Sequence, residues 1–327
     1  MDTKRTETMT RQKKIIISVT TIVAALFLIG SYFVGNYFIE YMLGRKDSDY
    51  DDALSPSYDK PAAEVENRQA ANLAVAKLQA EVGFDEVYIQ SRDGESLYGK
   101  IYVQPDSNLW AIVVHGYTST HNSVQDVATE YYNRGYNVLT PDLRAHGNSS
   151  GEYIMLGHED GPDIVEWAHY IDHADASIVL HGFSMGAATV MIAAGEDDLP
   201  ENVVAVIEDS GYTTAIQMMK EQLKFRFGLP SFPIVNISNI ISIVKTGLNF
   251  NDPKPIESIQ NCDLPMLFIH GDEDNYVLQY MQMELYNSYQ GEKDFLIIEG
   301  AGHTAGRYLV PDIYYTYVFD FLDKYVQ

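Results

Sequence analysis

The chain has 327 residues, 46% of them hydrophobic, enough for a sizeable core and too many for a disordered chain. A formal charge of −24 speaks against nucleic acid and against an anionic membrane face as partners of the bulk surface. The one cysteine, Cys262, excludes an internal disulfide framework and a cysteine metal site.

In chain order, the first element is an apolar run. Ile15 to Ile39 contains no charged residue, and as a helix it would be about 37 Å long, enough to cross a hydrocarbon layer of roughly 30 Å with some tilt. Lys4, Arg5, Arg11, Lys13 and Lys14 precede it. That excess keeps the N-terminus cytoplasmic and places the rest of the chain outside. The rival reading, a cleaved signal peptide, suits a shorter run followed by a small-residue cleavage site. The expected organisation is a cytoplasmic segment 1–14, a transmembrane anchor 15–39, a linker 40–61 and one catalytic domain 62–327.

An alanine-rich helical pattern follows Pro61. EVYIQS and SLYGKIYV flank Asp93-Gly94 as a hairpin. Short apolar runs (LWAIVVHG, YNVLTPD, ASIVLHG, NVVAVIEDS, LPMLFIHG, KDFLIIEG) then alternate with helical stretches near 123–134, 158–172, 184 onward, 277–289 and 310–325. This alternation predicts an α/β fold, a mostly parallel sheet with helices on both faces. Residues 213–262 exceed a simple crossover and predict a small helical cap of two or three helices, packed on the core or closing over a site at the strand ends.

Two stretches match G-x-S-x-G with a histidine in front: HGNSSG at 146–151 and HGFSMG at 181–186. HGFSMG directly follows an apolar strand and runs into AATVMIAAG. Strand, sharp turn and helix is the setting that lifts a serine hydroxyl above a sheet and faces it with helix N–H groups. HGNSSG lacks both neighbours and reads as a loop near the site. Ser184 is therefore the candidate nucleophile and Ser149 a structural serine.

A serine hydroxyl needs a base. His115, His181 and His270 precede glycines at strand ends, His169 and His173 lie at a helix, and His121, His146 and His158 lie in loops or at a helix start. His303 sits in EGAGHTAG after the last strand, flanked by glycines, and is the candidate base. HGDEDNYV supplies the acid that would orient it, with Asp272, Glu273 and Asp274 all within reach of the strand end and Asp209 as an outside candidate. Nothing in the sequence calls for a metal or an organic cofactor.

Taken together, VVHGYTS, PDLRAHGNSSG, VLHGFSMGA, IEDSGYT, LFIHGDEDNYV and GAGHTAG make residues 85–325 resemble the α/β-hydrolase superfamily. More narrowly, the chain resembles bacterial serine esterases and acyl hydrolases, including the membrane-anchored cell-surface hydrolases of Gram-positive bacteria. The resemblance implies an α/β-hydrolase fold with a cap at about 213–262. It places the acid at Asp274, with Val277 in register, and makes Asp272 a supporting residue. It implies an oxyanion hole from the backbone N–H groups of Tyr117 and Met185. The expected activity is that of a carboxylesterase or acyl hydrolase on a small-molecule ester, with an exopeptidase or amidase as the alternative and a non-catalytic binding protein as the more distant one. The cap residues Phe225, Phe227, Leu229 and Phe232 would either form cap core or line an acyl pocket.

Overall fold

The computed structural model describes residues 2–45, 60–171 and 175–326; most of the expected linker (46–59) and His173 lie outside the described residues. The leading apolar run belongs to one long helix, α1 (Asp2–Leu43). Within it Lys13–Leu43 is long and apolar enough to cross a membrane, and a signal sequence would pass the same test. The helix does not stop at Ile39, the expected end of the anchor. Phe38, Ile39, Met42 and Leu43 are buried against the following domain. The one charge in this turn, Glu40, pairs with Lys245. Beyond the helix, Gly44 bridges Tyr153 and the Arg45 amide donates to Glu152 O at 3.0 Å.

The domain begins with α2 (Ala62–Glu81), then β1 (Asp85–Gln90) and β2 (Ser96–Tyr102), the expected hairpin. The alternating part continues as β3 (Leu109–Val114), α3 (Gln125–Asn133), β4 (Asn137–Pro141), α4 (Asp160–Ile171), β5 (Ser177–Phe183), α5 (Met185–Ala194) and β6 (Val203–Asp209). The interval that broke the rhythm holds α6 (Ala215–Phe227), α7 (Ser231–Thr246) and the short α8 (Pro255–Ser258). Last come β7 (Met266–Gly271), α9 (Gln279–Ser288), β8 (Lys293–Ile298), the single turn α10 (Gly306–Leu309) and α11 (Pro311–Leu322).

The eight strands form one sheet in the order β1-β2-β4-β3-β5-β6-β7-β8. β1–β2 and β2–β4 are antiparallel, and every pairing from β4 through β3 to β8 is parallel. The inner strands are apolar at nearly every position because both faces are covered. Their alternation divides the core in two. Ile112, Val114, Ile178 and Leu180 pack on the face of α4 and α5, while Ala111, Val113 and Val179 pack on the face of α3 and α11. This is the α/β-hydrolase fold.

The strand order reverses beside β3, whose two neighbours are β4 and β5. Parallel strands all point the same way, so the loops after β3, β5, β6, β7 and β8 emerge at one edge. A crevice outside the carboxyl ends of the strands at such a switch point is where open α/β sheets bind ligands.

Candidate active site

At the end of β5 the chain turns so sharply that Ser184 takes φ +55° and ψ −115°, a costly conformation for a residue with a side chain and a common one at functional sites. The glycines on either side make the turn possible. A Cβ on Gly182 would lie 2.2 Å from Gly186 O, and one on Gly186 would lie 2.4 Å from both Val114 O and His115 O. The Ser184 amide is held by Asp209 O at 2.8 Å. With α5 starting at Met185, the orphan N–H groups of its first turn lie beside the serine.

His303 comes from the loop after β8. The Ser184 hydroxyl donates to His303 Nε2 at 2.8 Å, and His303 Nδ1 donates to Asp274 Oδ2 at 2.7 Å. Asp274 lies just past β7, and its side chain has no solvent exposure. Its Oδ1 accepts the Tyr276 and Val277 amides at 2.8 and 3.0 Å. Burial alone would raise this carboxyl, but the charge and hydrogen bond of His303, with His270 and the Tyr276 amide, hold it below the ordinary carboxylate range. The Tyr276 ring lies over the imidazole, with centroids 4.8 Å apart.

The other acids are engaged elsewhere. Asp272 is exposed, and its Oδ1 accepts the Gly300 amide at 2.6 Å, tying down the loop that carries His303. Asp209 is buried, its two oxygens taken by the Ser210 and Tyr314 hydroxyls at 2.8 and 2.9 Å.

The loop after β3 passes directly over the serine. A Cβ on Gly116 would lie 3.3 Å from Ser184 Cβ, and Tyr117 is the next residue along this loop. Two buried histidines hold this loop in shape. His115 Nδ1 donates to Gly116 O at 2.8 Å and its Nε2 accepts the Leu143 amide at 3.0 Å. His146 Nε2 accepts the Thr118 amide at 3.1 Å, and its Nδ1 donates to Arg144 O at 2.7 Å. Burial pushes His146 down to about 3, so it stays a neutral acceptor.

A cavity of about 470 Å³ opens over Ser184 and His303. Tyr117, Tyr276 and Arg307 form part of its wall. Arg307 is buried, with Nε 2.8 Å from Asp126 Oδ2 and its guanidinium 4.4 Å from the Phe183 ring centroid. The far wall is α2, through Glu64, Arg68, Asn72 and Val75. Sequence reasoning found the α2 helix but not its place in the site. The signal was there as a spacing of four, four and three residues, which is one helical face. The cap phenylalanines do not take this role. Phe225, Phe227, Leu229 and Phe232 are all exposed and absent from the cavity wall, so they are neither acyl pocket nor cap core.

Sequence and structure comparisons agree with this architecture. The model of the alpha/beta hydrolase family matches residues 111–242. The uncharacterized protein YqkD of Bacillus subtilis (strain 168) is 23% identical over 315 residues, spanning 95% of this chain and 98% of its own. Among solved structures, the Pyrococcus furiosus esterase Pf2001 superposes with a TM-score of 0.60 at 24% identity, over 75% of this chain and 93% of the esterase. Est1E from Butyrivibrio proteoclasticus, solved with ferulic acid bound, superposes with a TM-score of 0.57 at 22% identity, over 72% of this chain and 99% of its own. The chain therefore has an α/β-hydrolase fold whose structural neighbours include esterases.

Proposed function

We propose that the chain is a serine hydrolase acting on carboxylic esters, anchored in a membrane by α1 with its catalytic domain outside the cytoplasm. The observation that carries this reading is the hydrogen-bonded line Ser184–His303–Asp274, at 2.8 and 2.7 Å; the amides of Tyr117 and Met185 are the proposed oxyanion donors. Ser184 attacks the ester carbonyl as His303 Nε2 takes its proton. Asp274, held ionised, fixes the imidazole with its proton on Nδ1 and stabilises the imidazolium. The two amides donate to the oxyanion, a contribution of around 3 kcal/mol for each donor. His303 then protonates the leaving alkoxide, and the acyl group stays on Ser184. In the second half, water gives a proton to His303 as it attacks the acyl carbon; the acyl–Oγ bond then breaks, His303 returns the proton to Ser184 Oγ, and the acid is released. The esterase neighbours support the choice of ester over amide, and the cavity has room for an acyl chain or an aryl group.

Membrane attachment draws support from the length and composition of Lys13–Leu43. The basic residues before it and the acidic chain after it favour the outward orientation.

The test is fluorophosphonate labelling of the full chain in lipid vesicles, with turnover of p-nitrophenyl esters of increasing chain length and of the matching anilides. Labelling lost in Ser184→Ala, with esters turned over well above anilides, is the expected result. A folded wild type that neither labels nor turns over any ester would sink the reading.

A further inference from the structure

α7 is inverted in part: Val235 is buried and Ile234 and Ile241 pack on the core, but two of its buried positions are serines and several exposed ones are apolar. An ordinary surface helix buries its apolar stripe and shows its polar face to water. Here Ser238 and Ser242 are fully buried, while Ile240 is 63% and Val244 84% exposed. The first turn of α7 and the end of α6 behave the same way, with Phe232 at 74% and Phe225, Phe227 and, between the helices, Leu229 each more than two-fifths exposed. So many exposed large apolar side chains within one hairpin of helices mark an interaction site.

Its position says what covers it. Among the described residues of α1, those from Ile15 to Val34 are exposed, with Ser31 alone half-buried. A stretch of about twenty residues rises about 30 Å, one hydrocarbon thickness, so Gly35 stands at the outer boundary of the layer. It is there that α7 meets α1. A Cβ on Gly35 would lie 2.4 Å from Ile241 Cδ1 and 3.5 Å from Ile237 Cγ2. Phe227 packs edge-on against Phe38 and Tyr41, and Lys245 bonds Asn36 at 2.8 Å and pairs with Glu40. The inverted face is thus continuous with the lipid-facing surface of α1 and level with its outer end.

Charge points the same way. The whole chain carries −24, yet between residues 215 and 246 there are four basic residues (Lys220, Lys224, Arg226, Lys245) against one acidic, Glu221. A helical segment that combines exposed apolar side chains with an excess of basic residues has the composition of one lying in a membrane interface.

We propose that the α6–α7 hairpin lies on the outer leaflet of the membrane that α1 crosses, with Phe232, Ile240 and Val244 dipped into the boundary between headgroups and acyl chains. The proposal rests on the membrane-span reading of α1 and is independent of the serine chemistry. The hairpin also carries that boundary to the edge of the active site. Gln222 Nε2 donates to Tyr276 O at 2.8 Å, and Tyr276 lies over His303.

The experiment places single cysteines at Phe232, Val244, Val23 (in α1) and Tyr88 (exposed on β1, at the far edge of the sheet) in the full chain. Each is labelled with an environment-sensitive fluorophore, the buried Cys262 being left in place. The protein is reconstituted in phosphatidylcholine vesicles with and without brominated acyl chains. Emission from Phe232→Cys, Val244→Cys and Val23→Cys should fall about twofold with brominated lipid, as expected for burial roughly 5–10 Å or more below the headgroups, and Tyr88→Cys should not change. Quenching at Val23 alone would overturn the proposal while leaving the anchor intact. Quenching at none of the sites would remove the anchor and the proposal together. Cross-linking between labels at residue 232 without lipid quenching would assign the face to a second copy of the chain and likewise overturn it.

Discussion

The stretches 146–151 and 181–186 both read His-Gly-x-Ser-x-Gly. In the second, the serine stands at φ +55° between a strand and a helix, with its hydroxyl on the cavity and on His303. In the first, Ser149 is 1% exposed and its hydroxyl is used up. It donates to Asp142 O at 2.6 Å and accepts the Tyr98 amide at 2.9 Å. Around it, Arg45 donates to the carbonyls of Gly147, Ser149 and Gly151, so the chain just beyond α1 closes this loop. A Cβ on Gly147 would lie 2.2 Å from Asp142 Oδ2. One copy of the pattern exposes a hydroxyl to a base. The other knots a loop that, through His146, holds the backbone beside Ser184. The difference lies in the residues C-terminal to each copy: a run of small side chains that starts a helix, or a chain that leads away into EYIML.

The sharpest way to break this comparison is to remove each hydroxyl. Ser184→Ala should abolish fluorophosphonate labelling and lower kcat for esters by about 10⁴-fold or more. Ser149→Ala should keep labelling per folded molecule but lose roughly 1–3 kcal/mol of stability in denaturant unfolding, because the Tyr98 amide and Asp142 carbonyl are left unpaired. Loss of labelling in a folded Ser149→Ala protein would show that the two serines are not separable in this way.

The acids divide as the serines do. Asp274→Asn should cost about 10³–10⁴-fold in kcat by permitting the wrong imidazole tautomer. Asp272→Asn should stay within about tenfold of wild type, since an Asn oxygen still accepts the Gly300 amide and a surface hydrogen bond of this kind is worth about 1 kcal/mol. Equal losses in the two variants, read from ester turnover, would mean that the acid has been misassigned.

Glycine is required at the active turn for steric reasons. Gly186→Ala puts a methyl 2.4 Å from two backbone carbonyls that cannot swing away. It should destabilise the protein by about 1–3 kcal/mol or more. An unchanged melting temperature would contradict the close packing of α5 on β3.

The last prediction concerns pH. His146 is held neutral by burial, at about 3 against an ordinary 6.5. Its folded value is depressed, so the unfolded chain binds the extra proton first. The stability this histidine contributes is complete above pH 6.5 and falls away as the pH drops toward 3. His146→Gln, which can accept from Thr118 and donate to Arg144, should flatten that acid slope in urea unfolding series between about pH 7 and 4. A slope identical to wild type would show that His146 does not titrate as described.

Local sequence dictated much of this molecule. Short apolar runs covered on both faces have to be inner strands, and the small residues after Ser184 have to pack close to β3. The order Ser184, Asp274, His303 was legible because each lies just past a strand end, and parallel strands bring their ends together wherever they sit in the sheet. Three things were decided only in three dimensions. α2 became a wall of the cavity because it packs beside α3 and α10, a contact no local pattern encodes. α1 ran on past Ile39 because four apolar residues, Phe38, Ile39, Met42 and Leu43, found partners on the domain. α7 left Ile240, Ile243 and Val244 facing outward while Ser238 and Ser242 face the protein, and whether a 3.6-residue apolar stripe points to a core or to a bilayer depends on what stands next to it. Periodicity states that a helix has two faces; only the neighbours settle which solvent each one meets.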